Sequence, residues 1–218
     1  MKTEDLIGAL AQDAAVTWKL SSRLALAFSL GALISTIIFA LAVGVRPNLL
    51  AVGGSARFLF KFLFALALML GAAGAVTQVG RPAARIGPWA FVLVALPIAL
   101  AFAVMVELMA TPAALWGVRL VGRNAAFCLT VIPILALGPL ACLLVALRES
   151  APARPGLAGA VAGLAASGIA ATLYASHCPD DSPLFVAVWY SSAIAPASSP
   201  PAHRRDRSSS GPHPPPPV

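Results

Sequence analysis

Charge is scarce in this 218-residue chain: Asp, Glu, Lys and Arg together make up 11% of it, against 59% hydrophobic residues. With so few polar groups a soluble domain could not cover its surface, and the mean hydropathy of +0.87 points the same way. Acidic residues are rarer than basic ones, 8 against 15 Lys and Arg. The resulting net charge of +7 would suit a nucleic-acid partner. The basic residues, however, stand singly at the ends of apolar runs, as snorkelling and orienting charges do, and form no footprint for direct nucleic-acid binding. Only three Cys and three His occur. There is no phosphate loop, no His-x-x-x-His pair and no Ser/His/Asp set within the apolar runs. The sequence therefore nominates no catalytic residue, no cofactor and no enzyme.

What is present is length of apolar chain. Five runs, at about 24–45, 58–79, 89–110, 125–147 and 157–175, approach or exceed the roughly 18–20 residues that cross a bilayer core. They are uniformly apolar, without the alternation of barrel strands. The expectation is an all-α polytopic transmembrane helical bundle over 23–195. Lys61, inside the second run, is expected to snorkel, and Pro97 to kink the third. The fifth run carries Gly159, Gly163, Ser167 and Ala171 at four-residue intervals, a stripe suited to close helix packing. A sixth run, 184–195, holds only about twelve residues and reads as a span truncated midway. Residues 196–218 turn Pro- and Ser-rich, with a basic patch at His203, Arg204, Arg205 and Arg207, and are expected to be disordered.

Residues 1–22 form the polar segment before the first run. Thr3 can cap a helix whose first turn holds Glu4 and Asp5, while Leu6, Ile7, Leu10 and Ala14 share one face. Such a helix would rest on lipid headgroups or bind a protein partner. Its acidic start argues against a negatively charged leaflet. The positive-inside rule favours a cytosolic N-terminus. That places Lys2, Lys19, Arg23, Arg81, Arg85, Arg148 and Arg154 inside, and Arg46, Arg57, Lys61, Arg119 and Arg123 at the outer face.

The densest cluster of chemically capable groups is His177-Cys178-Pro179-Asp180-Asp181-Ser182-Pro183. In the N-inside topology it faces the exterior, and Cys128, opening the fourth run, comes to the same level. Cys142 lies deeper, an inert apolar thiol. Cys128 and Cys178 could form a disulfide, bind a soft metal with His177, or remain unpaired structural thiols. Asp180 to Pro183 reads as the cap of the sixth helix. Glu107 is the one acidic residue at membrane depth and could mark a polar pathway, which would make the chain a small transporter or permease subunit. A structural scaffold using the Gly159/Gly163 face is a third possibility.

Several short motifs occur in order. They are Met1-Lys2-Thr3-Glu4-Asp5-Leu6-Ile7, Val45-Arg46-Pro47 after the first run, Arg154-Pro155 before the fifth, and His177 to Pro183 leading to Val188-Trp189-Tyr190. Together they resemble the NrsF-like family of bacterial inner-membrane anti-sigma factors, six-span negative regulators of extracytoplasmic-function sigma factors. The resemblance covers roughly residues 1–195. It implies that Thr3 to Ile7 belong to a cytosolic segment holding the sigma factor, with Leu10 on the same helical face. It also implies that Cys128 and Cys178 are the sensing cysteines for a redox or metal stress outside. The chain departs from the family pattern after Ala195, where a completed sixth span would be expected.

Overall fold

A computed structural model describes residues 20–79, 87–148, 152 and 154–199. The predicted partner-binding residues Thr3, Glu4, Asp5, Leu6, Ile7 and Leu10, and the tail from residue 200 onward, lie outside the described residues. Within them the chain is helical, and no strand occurs among the described residues. Five segments are long and apolar enough to cross a membrane. The helices are α1 (Leu20–Ala42), α2 (Leu49–Val52), α3 (Ala56–Val79), α4 (Gly87–Ala110), α5 (Trp116–Val121), α6 (Ala125–Arg148) and α7 (Pro155–Ala175). A final helical run follows as α8 (Pro183–Phe185), a π-helical turn (Val186–Tyr190) and α9 (Ser191–Ser198).

Helix ends follow local chemistry. The first helix stops at Ala42, short of the expected 45, because the N–H groups of Val43 and Gly44 both turn back onto the Phe39 carbonyl. Gly44 takes the left-handed conformation (φ 72°) that closes such an end without a Cβ penalty. Pro155 opens α7, where a missing N–H costs nothing.

Helix α7 occupies the middle of the bundle. It packs chiefly on α3 and α6, and α6 also packs on α1, while α4 lies at the periphery against α3. Small residues carry this centre: Ala162, Ala166 and Ala170 are buried. The expected stripe is used in part. A Cβ on Gly163 would collide with the Ala197 carbonyl of α9, whereas one on Gly159 would meet nothing within 4 Å. The closest approach to α3 falls instead at Gly168, where a Cβ would stand 2.6 Å from the Met69 Cα. Without a hydrophobic force between helices in lipid, such close backbone approach is the main source of packing energy.

Pro139 lies inside α6 and has no N–H for the Leu135 carbonyl one turn back. Ser35 of α1 supplies the missing donor: its hydroxyl donates to the Leu135 oxygen at 2.6 Å. Gly31, one turn earlier on the same face, lets α1 come this near, since a Cβ there would stand 2.5 Å from the Pro139 Cα. Inside a bilayer an unpaired carbonyl is costly, so the proline and the serine make one structural unit.

The last helical run begins at Pro183 and continues through Pro196 to Ser198, past the expected stop at Ala195. Its three stretches of 3, 5 and 8 residues remain short of the ~20 needed for a full span.

Candidate functional site

Arg46, Arg57, Lys61, Glu107, Arg119, Arg123, Asp180 and Asp181 converge at one end of the bundle. Helix α7 ends as the N–H groups of His177 and Cys178 fold back onto the Tyr174 carbonyl. Pro179 then forces the chain out of the helix, leaving the Cys178 carbonyl without a helical partner. Two cations fill that vacancy in the hydrogen-bond pattern. Lys61 Nζ donates to the Cys178 oxygen at 2.6 Å and to the Asp180 oxygen at 3.4 Å, and Arg46 Nη1 reaches the Cys178 oxygen at 3.3 Å. Both also pair with Asp181, Arg46 Nη1 at 3.1 Å from Oδ2 and Lys61 against Oδ1. The Phe58 ring covers them, 4.8 Å from Arg46 Cζ and 5.9 Å from Lys61 Nζ.

Lys61 therefore does not snorkel: its side chain is 0% exposed. An ammonium removed from water needs a carboxylate and further acceptors, and the bend after Cys178 supplies both. The two aspartates differ in role from the cap expected of them. Ser182 alone caps the last helical run, its hydroxyl accepting from the Leu184 N–H. Asp180 reaches instead to the start of α6, accepting from the N–H of Arg123 at 3.0 Å, the N–H of Asn124 at 2.9 Å and Asn124 Nδ2 at 3.3 Å. A carboxylate at that helix start also complements the macrodipole. The turn requires Gly122 (φ 60°), because a Cβ there would lie 2.8 Å from the Asp180 Cγ and 2.7 Å from the Phe185 ring.

The expected sensing residues come together, to different degrees. Cys128 and Cys178 are both 0% exposed and share one apolar cluster with Tyr174, Phe185 and Tyr190. The Tyr174 hydroxyl lies beside the Cys178 thiol. Burial pushes that thiol above its ordinary range, with the nearby Lys61 ammonium opposing the shift. His177 points away toward the first connection, its Nδ1 2.9 Å from the Gly44 carbonyl and its ring against Phe127 and Tyr174. All three cysteines are free thiols, Cys142 being half-buried. Among the described residues, no three His, Cys, Asp or Glu side chains gather closely enough to hold a metal ion.

Glu107 has a structural environment that its sequence position did not reveal. It is clamped between Arg57, whose Nε is 3.0 Å from Oε2, and Arg119. Thr111 joins them, its hydroxyl accepting from Arg119 Nη1 at 2.7 Å. Beside this clamp opens a cavity of about 1010 Å³ that reaches Asp180 and Asp181. The signal for these partners lay in the positive residues assigned to one face, but their pairing is a tertiary fact.

The chain resembles known proteins along most of its length. A family model described as "Negative regulator of sigma F" (NrsF) matches residues 10–199. The "Anti-sigma-F factor NrsF" of Caulobacter vibrioides (strain NA1000 / CB15N) is 34% identical over 198 residues, covering 89% of this chain and 92% of the relative. The "Probable anti-sigma-F factor NrsF" of Azospira oryzae (strain ATCC BAA-33 / DSM 13638 / PS) is 33% identical over 196 residues, covering 87% and 90%. No solved structure matches.

Proposed function

The chain belongs to the NrsF family of negative regulators of a sigma factor, and from that premise we propose a membrane-embedded sequestering device with a sensor at the polar end of its bundle. The family is regulatory and not enzymatic, so the transport reading of Glu107 is not carried forward. In this reading the protein sits in the bacterial inner membrane with its N-terminus in the cytosol. Residues 1–22 hold an extracytoplasmic-function sigma factor, with Glu4 and Asp5 facing basic surface on the partner and Leu6, Ile7 and Leu10 giving apolar contact. The polar end faces the periplasm.

One observation carries the sensor reading: the two thiols share a buried cluster while Lys61 of α3 and Arg46 grip the backbone of Cys178 itself. Chemistry at Cys178 therefore falls on the residue whose carbonyl is tied to α3 through Lys61 and to the connection after α1 through Arg46. The unstressed state is unreactive, because both thiols are buried and that of Cys178, held above its ordinary pKa, carries little thiolate. Oxidation of Cys128 and Cys178 to a disulfide would pass two electrons and two protons to an oxidant. Binding of a soft metal, with His177 swinging in, would release the thiol protons. Either product differs in shape from the dithiol and so shifts a two-state bundle. The shift releases the N-terminal segment's partner.

The test is transcription from a promoter of the partner sigma factor, in cells challenged with an oxidant or a soft metal such as cadmium. Wild type induces, and Cys128→Ser and Cys178→Ser stay repressed while still holding the sigma factor. Induction undiminished in both variants removes the sensor from these residues.

A further inference from the structure

The cavity beside Glu107 is a candidate ligand site that the sensing scheme does not use. Its polar wall is formed by Arg57, Arg119 and Arg123 together with Glu107, Asp180 and Asp181, and Phe60 and Phe102 line its apolar side. A guanidinium has five N–H donors in a planar fork, suited to the oxygens of a phosphate. Arg57 commits its Nε to Glu107, and Arg119 commits Nη1 to Glu107 and Thr111. The Arg123 guanidinium has no ion pair among the described residues, although its backbone N–H is bound by Asp180. The nearby carboxylates are all engaged: Glu107 by two arginines, Asp181 by Lys61 and Arg46, and Asp180 by the start of α6. Five cationic side chains thus face three carboxylates around the cavity and behind its wall, leaving a surplus of positive charge and of donors.

The apolar side continues onto the peripheral face of α4, where Phe102 is 70% exposed, Val106 48% and Met109 84%. In a bilayer those side chains meet acyl chains, while the arginines stand at the end of the span, where headgroups lie.

We propose that this cavity binds a phosphate group, most fully satisfied as the headgroup of an anionic phospholipid whose chains lie along α4. Arg57, Arg119 and Arg123 take the phosphate oxygens, and Phe60 and Phe102 contact the first methylenes. Occupancy reaches the Asp180–Asp181 wall, so a bound headgroup adjoins the residues that hold the Cys178 bend.

The full-length protein, solubilised from bilayers of equal phosphatidylglycerol and phosphatidylcholine, tests this by native mass spectrometry. Wild type retains one phosphatidylglycerol with about tenfold preference, the magnitude expected of charge-assisted Arg–phosphate bonds. Arg123→Gln loses the preference with an unchanged melting temperature. Ala103→Phe, which adds bulk to the cavity's lining without altering a charge, lowers retention of the lipid. A second arm offers radiolabelled inorganic phosphate to protein in phosphatidylcholine alone. Binding there that Arg123→Gln abolishes identifies free phosphate as the ligand of the same site. Equal retention of the two lipids together with no phosphate binding overturns the proposal. So does a preference that survives both substitutions.

Discussion

At the scale of the residue, Lys61 decides most. It is a charged side chain within a run otherwise suited to lipid, and hydropathy places it at an interface by snorkelling. Its real partners, Asp181 and the Cys178 carbonyl, lie about 120 positions away in sequence, by the numbering of the paired residues. No local pattern encodes that pairing, whereas the existence of the Cys178 cluster was legible because its polar groups interrupt apolar sequence. Removing one member of a buried pair strands the others, so Lys61→Met should cost about 3–5 kcal/mol in unfolding free energy. A thermal unfolding series on the purified protein checks this, and a change below ~1 kcal/mol would mean that Asp181 is solvated. Cys178 gives a second prediction. Its thiol holds its proton more tightly folded than unfolded, so as pH rises the unfolded chain ionises first and binds fewer protons. Its contribution to stability is therefore fully present below the ordinary thiol pKa and lost as pH climbs through and above that value. Maleimide labelling at neutral pH should accordingly leave buried Cys178 unmodified in the folded protein, as mass spectrometry of peptides would show. Lys61→Met should make Cys178 reactive by loosening the bend.

At the scale of the element, apolar run length predicted the helices well. Each of the five long helices overlaps its expected span with ends displaced by a few residues, because ends depend on caps such as Gly44 and Pro155 rather than on hydropathy. The contacts between elements were less legible. The small-residue stripe of α7 was seen, yet the tightest approach to α3 is at Gly168, off the stripe, since helix rotation is set by all neighbours at once. The Ser35–Pro139 unit was invisible in sequence, because neither residue signals the other. It gives a double-mutant prediction. Ser35→Ala leaves the Leu135 carbonyl unpaired and should cost about 1–2 kcal/mol. In a Pro139→Ala background, where the α6 ladder supplies its own N–H, the same change should cost less than half as much. Equal costs in both backgrounds would show that Ser35 acts through packing alone.

At the scale of the whole molecule, we propose that the bundle separates two tasks. One end carries the Lys61–Arg46–Asp181 lock, the buried thiols and the Glu107 clamp. The N-terminal segment precedes α1, whose far end leads into Gly44 and Arg46, and these touch His177 and Asp181. A shift of the Cys178 bend therefore bears directly on α1, and α1 leads back to residues 1–19. In the proposed mechanism that continuity carries a change at one face to the other. The central claim is that those residues hold a sigma factor until the bend moves. The most direct measurement is co-purification of the sigma factor with the membrane-embedded chain, with and without residues 1–18, under reducing conditions and after oxidant. The account predicts that the intact reduced chain retains the sigma factor, that the shortened chain retains none, and that oxidant lowers retention by about tenfold, a coupling of about 1.4 kcal/mol. Retention by the shortened chain equal to that of the intact one would contradict it.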